Sequence, residues 1–264
     1  MTKILLVPYS EGSLGHNIGC ANGPKAIAGA MKFIWSSESG KPTIYLDKDN
    51  QLKSLFTVEE LKIKSYEDIY PGLVKADADI IIGGDHSISY ASFKQFASRF
   101  KNPGIVVFDA HPDVFSEHNT VKHQDWLKYL VEERILKPKN VIVLGIRAAD
   151  MEEIDYFKEN GIRYFTAKEM FGNSEDICDS VMEMSRDFDG LYVSIDIDAV
   201  DPAFAPGTGY IEPAGLSSRE LIYFIQRLRK LKNFRKVDIV EVNPDIDVNG
   251  MTVKLAAKII GELV

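Results

Sequence analysis

Short apolar runs alternate with helical patterns along the whole chain, and this alternation constrains the fold more than any other feature of the sequence. Most of the runs are continuously apolar, as is typical of strands that are covered on both faces. The pattern predicts a parallel sheet with helices on both sides. We expect one domain over residues 1–264, because no linker, repeat or low-complexity block interrupts the alternation. A closed eight-stranded barrel remains an alternative, since strand count alone does not separate the two folds.

The predicted strands are Ile4–Val7, Thr43–Leu46, Asp79–Ile82, Ile105–Phe108, Val141–Leu144, Arg163–Phe165, Leu191–Ile195 and Asp238–Val242. The predicted helices are Gly23–Trp35, Ser89–Phe100, Gln124–Arg134, Glu152–Asn160, Asp176–Asp187, Ser218–Lys230 and Thr252–Leu263. The polar stretch Asp47–Leu55 is expected to be a surface excursion. Functional side chains in such folds gather at the carboxyl ends of the strands, so the residues that follow each strand are the candidates for a site.

Composition and charge argue against several kinds of partner. The chain carries 31 Lys and Arg against 39 Asp and Glu, a net charge of −8, which disfavours nucleic acid and an anionic membrane surface. The first apolar run, Ile4–Val7, is too short for a signal peptide or a membrane span, so we expect a cytoplasmic protein. Cys20 and Cys178 lie far apart and outside any CxxC pattern, so they predict no disulfide framework and no zinc–thiolate site.

Three potential metal ligands follow the apolar run Ile105–Phe108 at alternate positions. In extended backbone, residues i, i+2 and i+4 point the same way, so Asp109, His111 and Asp113 are expected to converge where a buried strand ends. Buried charges are costly unless they are paired or bound to a metal. This stretch therefore predicts part of a metal site.

Three other predicted strands end in residues of the same kinds. Two glycines permit a tight or left-handed turn before His86, although a helix-capping Asp85 beside a satisfied histidine would be a purely structural alternative. Asp196 and Asp198 repel each other on a buried strand unless cations neutralise them. Glu241 ends the last strand, and taken alone it would be a surface residue by default.

Together these strand ends supply two imidazoles and at least four carboxylates without a thiolate. This mixture suits Mn²⁺ or a similar divalent ion better than structural zinc. The ligands exceed the needs of one ion, and two ions bridged by shared carboxylates and a water would use them all. Because such a pair lowers the pKa of the bridging water and generates hydroxide, the predicted reaction is metal-assisted hydrolysis.

Four motifs resemble those of the ureohydrolase family, which contains arginase, agmatinase, guanidino-acid hydrolases and formimidoylglutamase. They are Gly83–Ser87, Asp109–Asp113, Ser194–Gly209 and Glu241–Pro244, in the family order and over most of the chain. The resemblance implies a three-layer α/β/α fold on a mainly parallel eight-stranded sheet, which favours an open sheet over a barrel. It also implies two manganese ions per subunit and assembly as a homotrimer or homohexamer.

The resemblance further implies roles for particular residues. One manganese ion would be held by His86, Asp109, Asp113 and Asp196, and the other by Asp109, His111, Asp196 and Asp198. Asp113 would also orient the bridging hydroxide. Glu241 would hold the guanidinium or amidinium group of the substrate through charge-assisted hydrogen bonds. Asp150 would meet the amino group of the substrate, unless it is only a helix cap.

The chain departs from the family pattern at three places. The loop Val114–Lys122 leads into His123-Gln124 where the family has a His-Gly pair, so we expect His123 to be the active-site histidine that shuttles protons or contacts substrate, with His118 as its competitor. Phe115 stands where arginases have a polar residue that helps to hold the α-carboxylate of the substrate. Tyr210-Ile211 replaces the Thr-Pro that is common in the family. The change at Phe115 favours agmatine over arginine.

The leading hypothesis is hydrolysis of a linear C–N bond in a small cationic guanidino or amidino compound, of agmatinase or arginase type, with release of urea. A formimidoylglutamase-type reaction is an alternative within the family. A single-zinc amidohydrolase of the histone-deacetylase type is a second alternative, because such enzymes share the architecture and an Asp-x-His strand end. A non-catalytic member with an altered His123 loop is a third, although idle buried carboxylates would be costly.

Overall fold

The computed structural model describes residues 1–115 and 118–264. Its strands are β1 (Thr2–Val7), β2 (Ile44–Leu46), β3 (Leu52–Ser54), β4 (Phe56–Glu60), β5 (Ile80–Gly83), β6 (Pro103–Phe108), β7 (Val141–Ile146), β8 (Arg163–Thr166), β9 (Gly190–Asp196) and β10 (Phe234–Val240). Its helices are α1 (Gly23–Met31), α2 (Ile69–Ala76), α3 (Ile88–Ala97), α4 (Trp126–Glu132), α5 (Met151–Asn160), α6 (Ala167–Met170), α7 (Ser174–Ser185), α8 (Ser218–Leu228) and α9 (Met251–Leu263). None of these described helices is both long and apolar enough to cross a membrane.

Eight of the strands form one open sheet in the order β4-β1-β5-β10-β9-β6-β7-β8. All strand pairs described in this sheet are parallel. β4 and β8 lie at its two edges, so the sheet does not close on itself. The barrel alternative is therefore wrong, and the expected open parallel sheet between helix layers is confirmed.

Successive residues of the central strand β6 face opposite helix layers. Val106 and Phe108 share an apolar cluster with side chains of α1, α7, α8 and α9. Ile105 and Val107 share another cluster with side chains of α3, α4 and α5. All four are at most 1 % exposed, which explains why the strand is a continuous apolar run rather than an alternating one.

One edge of the sheet differs from the prediction. Ile44–Leu46, within the predicted strand Thr43–Leu46, pairs antiparallel with β3 in a separate two-stranded sheet. The edge position is taken by Phe56–Glu60, which pairs with β1. This strand is mostly exposed and ends in two charged residues, so it lacks the apolar run that marks the central strands. Helix α2, which the sequence analysis did not predict, packs on α3 beside this edge.

A lysine is buried on β10. Lys236 is 5 % exposed, and its Nζ donates to Oε1 of Gln95 at 2.7 Å. Burial lowers the pKa of Lys236 to about 8. Because the unfolded chain then binds this proton more tightly than the folded chain, the free energy of unfolding should rise as the pH increases from about 8 to about 10.5. Below this window the buried charge costs about 3 kcal/mol.

We expect Lys236→Met to raise the free energy of unfolding at pH 7 by about 1–3 kcal/mol, because it removes the buried charge but leaves Gln95 without its donor. The gain should shrink at pH 10, where the native lysine has already lost most of its proton. Urea denaturation at both pH values measures the effect. Lys232→Met, at an exposed lysine nearby, is the matched control and should change stability little. A less stable Lys236→Met protein at pH 7 would contradict the argument.

Candidate active site

The predicted ligands lie at the carboxyl ends of the four central strands of the sheet. His86 follows β5, Glu241 follows β10, Asp196 ends β9 and Asp109 follows β6. These strands are neighbours in the order β5-β10-β9-β6. Because they are parallel, their carboxyl ends share one edge of the sheet, and side chains that lie up to 155 residues apart in sequence come together there.

The turn after β5 needs a glycine for space. A Cβ atom on Gly84 would lie 1.8 Å from the carbonyl oxygen of Tyr9. The same carbonyl accepts a hydrogen bond from the backbone N–H of Asp85 at 2.8 Å. Gly84 has no positive φ, so no left-handed turn requires a glycine here. A glycine is needed because two backbone segments approach each other closely at this position.

A first cluster of ligand atoms surrounds Nδ1 of His86. This nitrogen lies 3.1 Å from Oδ2 of Asp109, 3.0 Å from Oδ2 of Asp113 and 3.2 Å from Oδ2 of Asp196. The four side chains come from three strand ends and are almost completely buried. Their atoms are arranged as ligands around one cation would be.

A second cluster surrounds Nδ1 of His111. This nitrogen lies 3.0 Å from Oδ2 of Asp198 and 3.5 Å from Oδ1 of Asp109. Asp109 thus contributes one oxygen to each cluster. The potential ligand atoms of His86, Asp109 and Asp196 lie within 4.8 Å of one another, and so do those of Asp109, His111 and Asp198.

The hydrogen bonds around His86 show that its Nδ1 can offer a lone pair to a metal. Nε2 lies 2.9 Å from Oγ of Ser194, and that hydroxyl donates its proton to Oδ1 of Asp238 at 2.6 Å. Ser194 must therefore accept from Nε2–H, which leaves Nδ1 unprotonated in the neutral ring. Nδ1 of His86 and Oδ2 of Asp109 are buried and have no hydrogen-bond partner among the described residues. Metal ions bound between these atoms would satisfy both.

The electrostatics of the cluster also favour cations. Burial raises the pKa of Asp113 to about 7, with a further contribution from the charge of Asp109. The pKa of Asp196 is raised well above its usual range by burial and then by the charges of Asp198 and Asp109. Carboxylates this close together and this deeply buried hold their charge only beside positive charge. The donor set therefore fits a pair of divalent ions.

The three residues of the Asp-x-His-x-Asp stretch do converge, but not through one extended segment. The backbone N–H of His111 donates to Oδ1 of Asp109 at 2.7 Å, and the chain bends at residues 110–111. Asp113 has φ 54°, in the left-handed region that few non-glycine residues adopt. Glu241 has φ 65°. Such backbone strain is concentrated at functional sites, and no local sequence pattern indicated it here.

Glu241 is fixed by two donors from distant parts of the chain. Its Oε2 accepts from Nδ2 of Asn17 at 2.6 Å, and its Oε1 accepts from the backbone N–H of His86 at 2.7 Å. Asn17 is itself held by Nδ2 of Asn243, which donates to its Oδ1 at 2.7 Å. Burial raises the pKa of Glu241 to about 8, with a contribution from the charge of Asp85. Each oxygen keeps a second lone pair with which to meet a ligand.

The ligand clusters open into a cavity of about 420 Å³. Its described lining consists of His111, Asp113, Phe115, His123, Gln124, Ala148, Ala149, Asp150, Glu153, Asp196, Asp198, Thr208, Tyr210 and Glu241. These residues include six carboxylates and, in the described part of the lining, no lysine or arginine. The cavity is therefore suited to a cationic ligand.

Of the two candidate loop histidines, the structure places His123 in the cavity. Its Nδ1 lies 3.9 Å from Oε1 of Glu241, and its ring stacks on Tyr210 with centroids 5.7 Å apart. His118 does not belong to the described lining, and its Nδ1 lies 3.1 Å from Oδ2 of Asp125. Residues 116 and 117 of this loop lie outside the described residues.

Asp150 caps a helix and also lies in the wall of the cavity. Its side chain accepts from the backbone N–H of Glu153 at the start of α5, while Glu153 accepts from the backbone N–H of Asp150, a capping box. Asp150 also lines the cavity and is exposed to solvent. A helix cap and a ligand contact are therefore compatible at this position.

Several residues around the site were not predicted from the sequence. Ser194 and Asp238 each stand between two apolar residues of a buried strand segment, and this signal was available in the sequence. Asn17 and Trp126 carry no comparable signal, because they reach the site from a loop and from the first turn of a helix. Trp126 donates its indole N–H to Oδ2 of Asp113 at 2.7 Å.

Comparisons with known proteins identify the family of this chain. The chain matches the family model described as "Arginase family" over residues 2–264. It is 28 % identical over 233 residues to an arginase of Staphylococcus aureus, covering 82 % of this chain and 77 % of that protein. It is 29 % identical over 291 residues to the mitochondrial arginase 1 of Arabidopsis thaliana, covering 99 % of this chain and 80 % of that protein.

Solved structures show the same fold. Formimidoylglutamase from Bacillus subtilis superposes with a TM-score of 0.89 at 25 % identity, covering 100 % of this chain and 86 % of that one. Proclavaminate amidino hydrolase from Streptomyces clavuligerus superposes with a TM-score of 0.84 at 27 % identity, covering 99 % and 90 %. With the match over nearly its whole length, the chain belongs to the arginase family, the ureohydrolases that its four motifs resemble.

Proposed function

We propose that this protein is a binuclear manganese hydrolase that cleaves the C–N bond of a guanidino amine of the agmatine type and releases urea. The observation that carries the proposal is the pair of ligand clusters that share Asp109 and open into one cavity with Glu241. Hydrolysis of agmatine consumes one water and yields urea and 1,4-diaminobutane.

The metal ions would be held by the residues that the sequence analysis named. His86, Asp109, Asp113 and Asp196 would bind one ion, and Asp109, His111, Asp196 and Asp198 the other. Nitrogen and oxygen donors without a thiolate support manganese. When bound, such a pair supplies a hydroxide nucleophile at neutral pH.

The other cavity residues would bind and orient the substrate. Glu241 would hold the guanidinium group through charge-assisted hydrogen bonds. Burial, together with the nearby histidines, lowers the pKa of His123 to about 4. Its ring is therefore neutral at pH 7 and does not repel a cationic substrate. We assign to His123 the contact with the leaving amino group, since it stands beside Glu241.

The lining of the cavity favours a substrate with an amine tail over one with a carboxylate. The α-carboxylate of arginine would find no lysine or arginine among the described lining residues, and Phe115 offers it no hydrogen bond. An ammonium tail would instead find Asp150. Formiminoglutamate is disfavoured for the same reason, because it carries carboxylates.

A substrate screen with purified, Mn²⁺-loaded protein tests the proposal. We expect kcat/KM for agmatine to exceed that for arginine by about tenfold or more, as a difference of one charged contact implies. Urea release should be measured for agmatine, arginine, guanidinobutyrate and guanidinopropionate, and formamide or glutamate release for formiminoglutamate. Urea from arginine but not from agmatine would overturn the choice of substrate.

Metal analysis of the protein as purified, before Mn²⁺ is added, separates the binuclear hydrolase from the single-zinc alternative. Two manganese ions per chain are expected, whereas one zinc ion per chain would favour the deacetylase-type reaction. We also propose that the protein assembles as a homotrimer or homohexamer. Size-exclusion chromatography with light scattering would show it as a mass of three or six chains.

A further inference from the structure

One aromatic side chain outside the cavity contacts two residues of the first ligand cluster. Trp126, at the start of α4, is fully buried and donates its indole N–H to Oδ2 of Asp113 at 2.7 Å. Its ring packs against the ring of His86, with centroids 4.6 Å apart and planes inclined by 36°. Trp126 does not belong to the described lining of the cavity.

The position of Asp113 needs such support. The residue follows Pro112 beyond the end of β6, so no strand pairing holds it, and its φ of 54° lies in the left-handed region. Its Oδ2 faces Nδ1 of His86 at 3.0 Å. The hydrogen bond from Trp126 fixes this oxygen, and because indole N–H is only a donor, the bond favours the charged carboxylate.

The indole is itself anchored in the core. Trp126 belongs to the apolar cluster that contains Phe93 from α3 and Val107 from β6. The ring therefore cannot move without disturbing the layer between the sheet and α4. Its N–H group therefore holds a fixed position, from which it donates to the carboxylate of Asp113 on a strained turn.

We propose that Trp126 is a positioning residue, which holds Asp113 in the orientation that binds metal. The inference rests on the proposed function, since it takes Asp113 as a metal ligand. Because Trp126 acts through Asp113 and not through the cavity wall, its loss should weaken metal binding and lower kcat while KM stays nearly constant. A residue with a purely structural role would not produce this split.

The sharpest test replaces the indole N–H by sulfur. Incorporation of 3-benzothienylalanine at position 126 keeps the shape of the side chain and removes only the donor. We expect Mn²⁺ affinity and kcat each to fall about 10- to 100-fold, as partners of metal ligands typically do, with KM changed less than about threefold. Titration calorimetry measures the affinity, and urea release measures kcat and KM. Trp126→Phe should show the same losses together with lower stability, because it also removes ring volume.

A second measurement uses the fluorescence of the natural side chain. The chain contains two tryptophans, and Trp35 is 53 % exposed and outside the site. Trp35→Phe is the matched control, which should keep the wild-type kcat and leave Trp126 as the only tryptophan. Mn²⁺ should quench the emission of Trp126, and the quenching should be complete when the tightly binding sites are filled. The reason is that the ring contacts two proposed ligands of the same ion, His86 and Asp113.

The outcomes separate the two proposals. Equal Mn²⁺ affinity and kcat in the wild type and the sulfur isostere would overturn the role of Trp126, as would Trp126 emission that Mn²⁺ leaves unchanged. Wild-type protein that binds no Mn²⁺ and hydrolyses no guanidino compound would overturn the proposed function instead.

Discussion

Asp109→Asn should lower kcat by about a thousandfold or more, because it removes the carboxylate that both ligand clusters share. This decrease corresponds to the loss of about 4 kcal/mol of transition-state stabilisation. Oδ2 of Asp109 faces His86 at 3.1 Å and Oδ1 faces His111 at 3.5 Å. An asparagine has only one acceptor oxygen, so its amide NH₂ would point into one of the two clusters.

The measurement for Asp109→Asn combines urea release with the metal content per chain. We expect fewer than two ions per chain, whichever way the amide turns. Asp155→Asn changes an exposed carboxylate on α5 in the same way and should keep both the ions and the activity.

Asp198→Ala removes a ligand from the second cluster only. Full activity in that variant would rule out the binuclear mechanism.

Glu241→Gln is expected to lower kcat/KM for the guanidino substrate by about a hundredfold, since it removes the charge that we propose meets the guanidinium group. Both oxygens of Glu241 already accept from buried donors, Nδ2 of Asn17 and the backbone N–H of His86. The NH₂ group of a glutamine would have to face one of these donors. We therefore also expect the free energy of unfolding to fall by about 1–3 kcal/mol.

A matched variant separates the charge of Glu241 from its hydrogen bonds. Asn17→Ala removes one donor and keeps the carboxylate, so it should lose stability but less than about tenfold in kcat/KM. Neither variant should lower the manganese content, because Glu241 belongs to neither ligand cluster. If Glu241→Gln hydrolysed its substrate as well as the wild type while it bound both ions, another residue would have to hold the guanidinium group.

The central strands and the clustering of the candidate ligands could be predicted because their signals are local. β6 is covered by helices on both faces, so the sequence had to make it continuously apolar. Charged residues buried at the end of such a run, such as Asp196 and Asp109, must be paired or bound to a metal. The edge strand Phe56–Glu60 escaped prediction because an exposed strand needs no apolar run. Helix α2 escaped because it contains Pro71-Gly72, a dipeptide that is typical of a turn.

The sequence by itself thus determined the types of the candidate ligands, their positions at strand ends and the presence of nitrogen and oxygen donors without thiolates. Only the tertiary structure decided how they meet. The strand order brings β5, β10, β9 and β6 side by side. It also brings Asn17 to Glu241 across 224 residues and the indole of Trp126 to Asp113. These contacts depend on how the helix layers pack on the sheet. The residues next to either partner in the sequence therefore do not indicate them.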